Sequence, residues 1–166
     1  METKEMSLEE KYNKLYDQYI LTDVIAMAFV KEKGLIDEYL GYSMKVYKKM
    51  MPSLLGSAFK LIKMLAPGRA FKRFVEDLMR EGQVMEPLSN IEIVSLSDQE
   101  AVFKYKDSVM LKKYKDIMKK TGLKLDLNEY WALFNESGKD MIKDFGFDMT
   151  SRIEGDSAIT VIKLKK

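Results

Sequence analysis

Asp140 and Asp144 stand four residues apart in a segment of helical pattern, so their carboxylates share one face. Paired acids of that kind can do general acid–base work or hold a cation. Lys139 and Lys143 flank them, and solvated surface ion pairs account for the same four residues more simply. Asp37/Glu38 and Glu76/Asp77 are the other near pairs. The chain contains no His and no Cys. That removes Ser-His-Asp and Cys-His nucleophile systems, the usual zinc sites, redox dithiols and disulfides. No phosphate-binding Gly-rich loop and no nucleophile elbow occurs either. No catalytic residue, metal site or cofactor is therefore assigned from the sequence.

The second chemical resource is apolar. Thirteen Met are spread over nearly every segment, and 11% of the residues are aromatic. Met fills irregular space and lines adaptable binding surfaces. Small-molecule pockets are mostly apolar, with a few polar groups to fix orientation. On that basis Tyr130, Trp131, Phe134 and Phe145, with Tyr105, form the candidate ligand-binding set. Plain core filling is the competing explanation for the same residues.

Charge is unevenly distributed. Between positions 44 and 80 nine basic residues oppose Glu76 and Asp77, a net of +7, and between 112 and 125 six lysines oppose Asp116. The whole chain carries only +2. Lysines at helical spacing are the wet faces of amphipathic helices. Base readout leans on Arg, Asn and Gln, and only four Arg are present, so nucleic acid is not the expected partner.

The elements that would position these side chains follow from periodicity. Ser7 with Glu10 is a capping-box pair. Leu8, Tyr12, Leu15, Tyr16, Tyr19 and Ile20 then recur at helical spacing, continuing through Val24, Ile25, Ala28 and Phe29 to Gly34. A second helix is expected over 36–51, an apolar segment over 53–65 stopped by Ala66-Pro67-Gly68, and an amphipathic helix over 69–80 ending at Gly82. Past Pro87 the period becomes two: 91–96 and 100–106 read as a hairpin with Ser97-Asp98 at its turn. A helix over 108–121 and one capped by Asp126 and carrying Trp131 follow. Strands over 147–153 and 158–164, joined by Glu154-Gly155-Asp156-Ser157, close the chain. The expected fold is a single α+β domain over 1–166, with N-terminal helices packed on an antiparallel sheet made from two hairpins, in the order helices-β-β-α-α-β-β.

The segment Arg152-Ile153-Glu154-Gly155-Asp156-Ser157-Ala158-Ile159-Thr160-Val161-Ile162-Lys163-Leu164 resembles the closing hairpin of 4-vinyl-reductase-type domains and of aminothiazoline-carboxylate-hydrolase-like proteins. Tyr130-Trp131 through Gly138 to Phe145-Gly146 occupies the place of the helix before that hairpin. The resemblance implies the fold shared with vesicle-tethering TRAPP subunits, a cavity for a small hydrophobic molecule, and dimerisation. Ala158 or Ile159 stands where the family has a Cys after the Gly-Asp turn, so a thiol-dependent activity does not carry over.

Three readings follow. The first is a non-enzymatic binding or sensor domain for a small hydrophobic molecule; the second is a homodimerisation or interaction module; the third is a hydrolase-like enzyme working without His or Cys. The longest apolar stretches fall short of the roughly 20 residues a membrane span needs. The charged N-terminus lacks a signal peptide's apolar core, so a cytoplasmic location and no membrane span are expected.

Overall fold

In the computed structural model, residues 5–50, 64–123, 125–143 and 146–165 are described. The first helix, α1 (Leu8–Lys33), starts where the sequence places its cap. Glu10 N–H donates to Ser7 Oγ at 3.1 Å, and Ser7 N–H donates to the Glu10 carboxylate at 2.6 Å. At the other end Gly34 takes φ +68°, a left-handed conformation that a Cβ would strain. Its N–H bonds Lys31 O at 3.1 Å, and Leu35 N–H bonds Val30 O at 2.9 Å, satisfying carbonyls the helix leaves open.

Helix α2 (Ile36–Met50) turns back from there. The apolar segment expected over 53–65 lies largely outside the described residues. Helix α3 (Pro67–Gly82) begins at Pro67. The chain leaves the helical conformation at Ala66, within the expected stop, and the next helix starts at Pro67, two residues before the expected Arg69, because proline's fixed φ and missing N–H suit the first helical position. A short 3-10 turn (Leu88–Asn90) then leads into the sheet.

The sheet is antiparallel throughout, in the order β1-β2-β4-β3. Its strands are β1 (Ile91–Leu96), β2 (Glu100–Tyr105), β3 (Phe147–Glu154) and β4 (Ser157–Leu164). Helices α4 (Val109–Thr121) and α5 (Leu127–Lys143) lie between the two strand pairs in sequence. The α+β class expected from the sequence is present. Alternation decides which face is covered. Ala101 and Phe103 of β2, Ile162 of β4, and Phe147 and Met149 of β3 point inward, where Phe71 and Val75 of α3 and Ile142 of α5 meet them; Ala158 of β4 packs with Leu111 and Trp131. Val102, Ile159 and Val161 point the other way and are only partly buried. One packed face and one wetter face is the ordinary state of an antiparallel sheet.

A second cluster lies among the helices. Tyr16, Ile20, Val24 and Met27 of α1 pack against Tyr114 of α4, Tyr130 of α5 and Leu125 before it. Helix α5 therefore serves both layers, with Tyr130 toward α1 and Trp131 toward Leu111 and Ala158. At Gly138 it comes so close to β3 that an added Cβ would lie 2.3 Å from Met149 Cε.

Candidate functional site

The polar groups inside this frame gather at three places. At the first, the Tyr114 and Tyr130 hydroxyls both donate to Asp23 Oδ2 and lie 2.8 Å from each other. Their rings stack at a tilt with centroids 4.9 Å apart. Burial, with the nearby Asp23 charge, pushes both phenols well above their ordinary 10. They are proton donors held neutral, and the arrangement ties α1 to α4 and α5.

At the second, Glu86 is 3% exposed. It accepts from Ser108 Oγ, from Val109 N–H at 3.0 Å and from Met110 N–H at 3.1 Å. Ser108 Oγ in turn accepts Leu111 N–H at 3.1 Å. The carboxylate thus sits on the open N–H groups at the start of α4, where the helix dipole favours negative charge. Tyr16 donates to Met85 O at 2.8 Å close by. Burial first, and the Glu86 charge second, raise the phenols of Tyr16 and Tyr105.

The third place holds part of the set expected to bind a ligand. Trp131 Nε1–H donates to Ser151 Oγ at 3.0 Å, which lies 2.9 Å from Thr160 Oγ1. Asn135 Nδ2 donates to Ser151 O at 2.6 Å, while its Oδ1 is buried without a partner. Tyr105 lies against the Trp131 cluster. Tyr130, the next residue along, faces away into the helix cluster, since adjacent helical positions point about 100° apart. The side chain of Phe134 and the whole of Phe145 lie outside the described residues. The structure thus brings Tyr105 and Trp131 together and separates them from Tyr130. A depression of about 80 Å³ opens between Thr150, Ser151, Arg152, Ile159 and Val161. It has room for water, against the roughly 300–1,000 Å³ of a drug-sized pocket. Among the described residues no group of three or more acids could hold a metal ion.

Outside the core, much of the basic charge is matched by acids distant in sequence. Lys72 pairs with Asp98 at 2.7 Å and Lys113 with Asp17; closer along the chain, Lys112 pairs with Asp107 at 3.5 Å and, within α3, Arg73 with Asp77 at 3.3 Å. No helix among the described residues is long and apolar enough to cross a membrane.

The remaining feature is an exposed one. Of the helical pattern read in 8–29, Tyr16, Ile20 and Val24 are core, whereas Leu8 is 85% exposed, Leu15 65%, Phe29 56%, Tyr19 54% and Tyr12 48%. Their positions (8, 12, 15, 19, 29) follow the alternating four-and-three spacing of a coiled-coil seam, completed by Thr22, Ala26 and Lys33. Ile25 and Leu21 are exposed beside it. Tyr12 donates from this face to Val84 O, at the entry to the Glu86 cluster. Sequence periodicity found both stripes of α1, but it missed Asp23, Tyr114 and Glu86 as a polar framework. Periodicity marks Ser108 only as the start of a helix; that it caps α4 is a finding of the structure.

No family model, curated protein or solved structure matches this chain.

Proposed function

We propose that the chain is a self-association module, in which α1 of one copy packs on α1 of a second. The observation that carries this reading is the seam of exposed apolar side chains on a helix whose opposite side is already core. Soluble monomers rarely expose contiguous apolar patches beyond a few hundred Å². Tyr12, Tyr19 and Phe29, each about half exposed, offer roughly 300 Å² between them, an aromatic side chain carrying about 150–250 Å². Two copies double that figure, and Leu8, Leu15 and Ile25 add to it. The sum approaches the roughly 1,200 Å² at the lower end of stable interfaces. Dimerisation is also what the 4-vinyl-reductase resemblance implies.

Sedimentation equilibrium from 1 to 50 µM tests it. The expected outcome is a mass near twice that of one chain at the upper concentrations. Leu15→Glu with Tyr19→Glu should give a monomer of unchanged circular dichroism, because neither residue is core. A wild-type chain that stays monomeric throughout that range ends the proposal.

A second reading keeps the small hydrophobic ligand, beside Trp131 and Tyr105, with the unpartnered Asn135 Oδ1 as its polar anchor. Buried orphan acceptors in native proteins call for a water or a ligand. Native mass spectrometry of freshly purified protein tests this: a small molecule released on denaturation supports it, and a clean mass argues for water.

A further inference from the structure

We infer that the surface through which two copies meet extends off α1 onto Val84, in the connection between α3 and the sheet. This rests on the self-association reading and adds a second element to the same interface.

On one side of the stripe, α1 is not open. Tyr16, one turn beyond Tyr12, is buried, and its hydroxyl donates to Met85 O at 2.8 Å. Tyr12 itself donates to Val84 O, and the two tyrosine rings lie with centroids 6.0 Å apart. The connection after α3 therefore lies along the first half of α1 on that side. Its side chains divide between inside and outside. Met85 packs on the helix cluster, Glu86 is held by the N–H groups that open α4, and Val84 is 57% exposed. A copy that packs on the stripe meets, on this side, the chain that covers α1 and not the covered flank itself.

The same flank in the second half of α1 offers nothing comparable. Val30 is buried there, and Asp23 accepts from Tyr114 and Tyr130. The apolar surface thus leaves α1 only at its first half, through Tyr12 onto Val84. Size and charge both suit a second copy as the occupant. The α1 stripe alone only approaches the lower end of stable interfaces, and a side chain added to a two-fold contact counts twice. Glu9, Lys11 and Lys14 beside the stripe are of both signs, so a copy of this surface meets no uniform field of its own charge.

Val94 supplies a matched control. It is the same residue type at 56% exposure, but it stands at the register shift of β1, on the edge of the sheet. Because the chain has no Cys, a thiol placed at either position reports burial directly. In the full chain, with iodoacetamide in excess, the Val84→Cys thiol should react about fivefold more slowly at 50 µM protein than at 1 µM, as association covers it. The Val94→Cys thiol should react at one rate throughout. Sedimentation should show Val84→Asp weakening the dimer about tenfold in Kd, because an unpaired charge is being buried, and Val94→Asp changing it by no more than about twofold. A Val84→Cys chain that sediments as a dimer yet reacts at one rate would overturn the extension and leave self-association standing. Equal protection of both thiols would overturn it too, since the covering would not be local to Val84. A monomeric wild type removes both. The thiol measurement stands whether or not Val84→Asp folds.

Discussion

At the residue scale, the buried polar groups of this chain act as staples between elements. Glu86 is the clearest case: it touches three donors at the start of α4 from a position 22 to 24 residues earlier in the chain. Removing a buried acceptor leaves its donors desolvated and unpaired, which costs more than the bonds gained on folding. Glu86→Ala should therefore lower the unfolding free energy by about 3 kcal/mol in urea titration. Glu86→Gln, which keeps one acceptor oxygen, should cost less than half of that. The tyrosines make a separate prediction. Tyr16, Tyr114 and Tyr130 have phenols raised above 10 by burial. Below pH 10 both the folded and the unfolded chain keep these protons, so the stabilisation is fully present. Above it the unfolded chain releases them first, and stability is lost as the pH rises toward the folded values. Three such groups give a slope of up to about 4 kcal/mol per pH unit. Urea midpoints should be level from pH 7 to 9 and fall steeply by pH 11, and Tyr16→Phe should make the fall shallower by about a third. A midpoint that is level through pH 11 would show these phenols ionising as freely in the fold as out of it.

At the scale of elements, helix ends and strand faces were the most legible parts of the sequence, because each is decided by a few adjacent residues. Ser7 with Glu10, Gly34, Ser108 and the alternation through Ala101 and Phe103 all act locally. Two glycines separate what local chemistry requires from what it tolerates. Gly34 and Gly41 both have nothing within 4 Å of where a Cβ would stand, but only Gly34 has a positive φ. Gly34→Ala should thus cost about 1–2 kcal/mol through backbone strain alone. Gly41→Ala, inside α2, should stabilise by up to about 1 kcal/mol through helix propensity. Thermal midpoints moving in opposite directions would bear this out, and equal shifts would deny it. What the sequence hid was pairing across distance. Tyr130 was read with Trp131 as one wall, yet its hydroxyl serves Asp23, 107 residues away. Both stripes of α1 have the same spacing, so periodicity alone could not tell which of them would be covered; that depends on where α4 and α5 come to lie.

At the scale of the whole molecule, α1 stands on the side of α4 and α5 that carries Tyr114 and Tyr130, and so keeps one face for the chain and one for solvent. A dimer formed through that outer face couples association to folding, because the seam exists only while α1 is held helical by its inner face. Binding that requires the folded state stabilises it by mass action: about 2.7 kcal/mol when the partner is at one hundred times Kd. The thermal midpoint of the wild-type chain should therefore climb as concentration is raised from 1 to 100 µM. The variant with Leu15→Glu and Tyr19→Glu should melt at one temperature over the same range, close to the wild type's value at high dilution. If both chains show the same concentration dependence, the outer stripe of α1 is not what joins them. If the variant instead melts far below the dilute wild type, Leu15 and Tyr19 contribute to the chain's own core despite their exposure. The comparison thus separates an interface from a poorly covered interior, and it does so with two side chains that are more than half exposed.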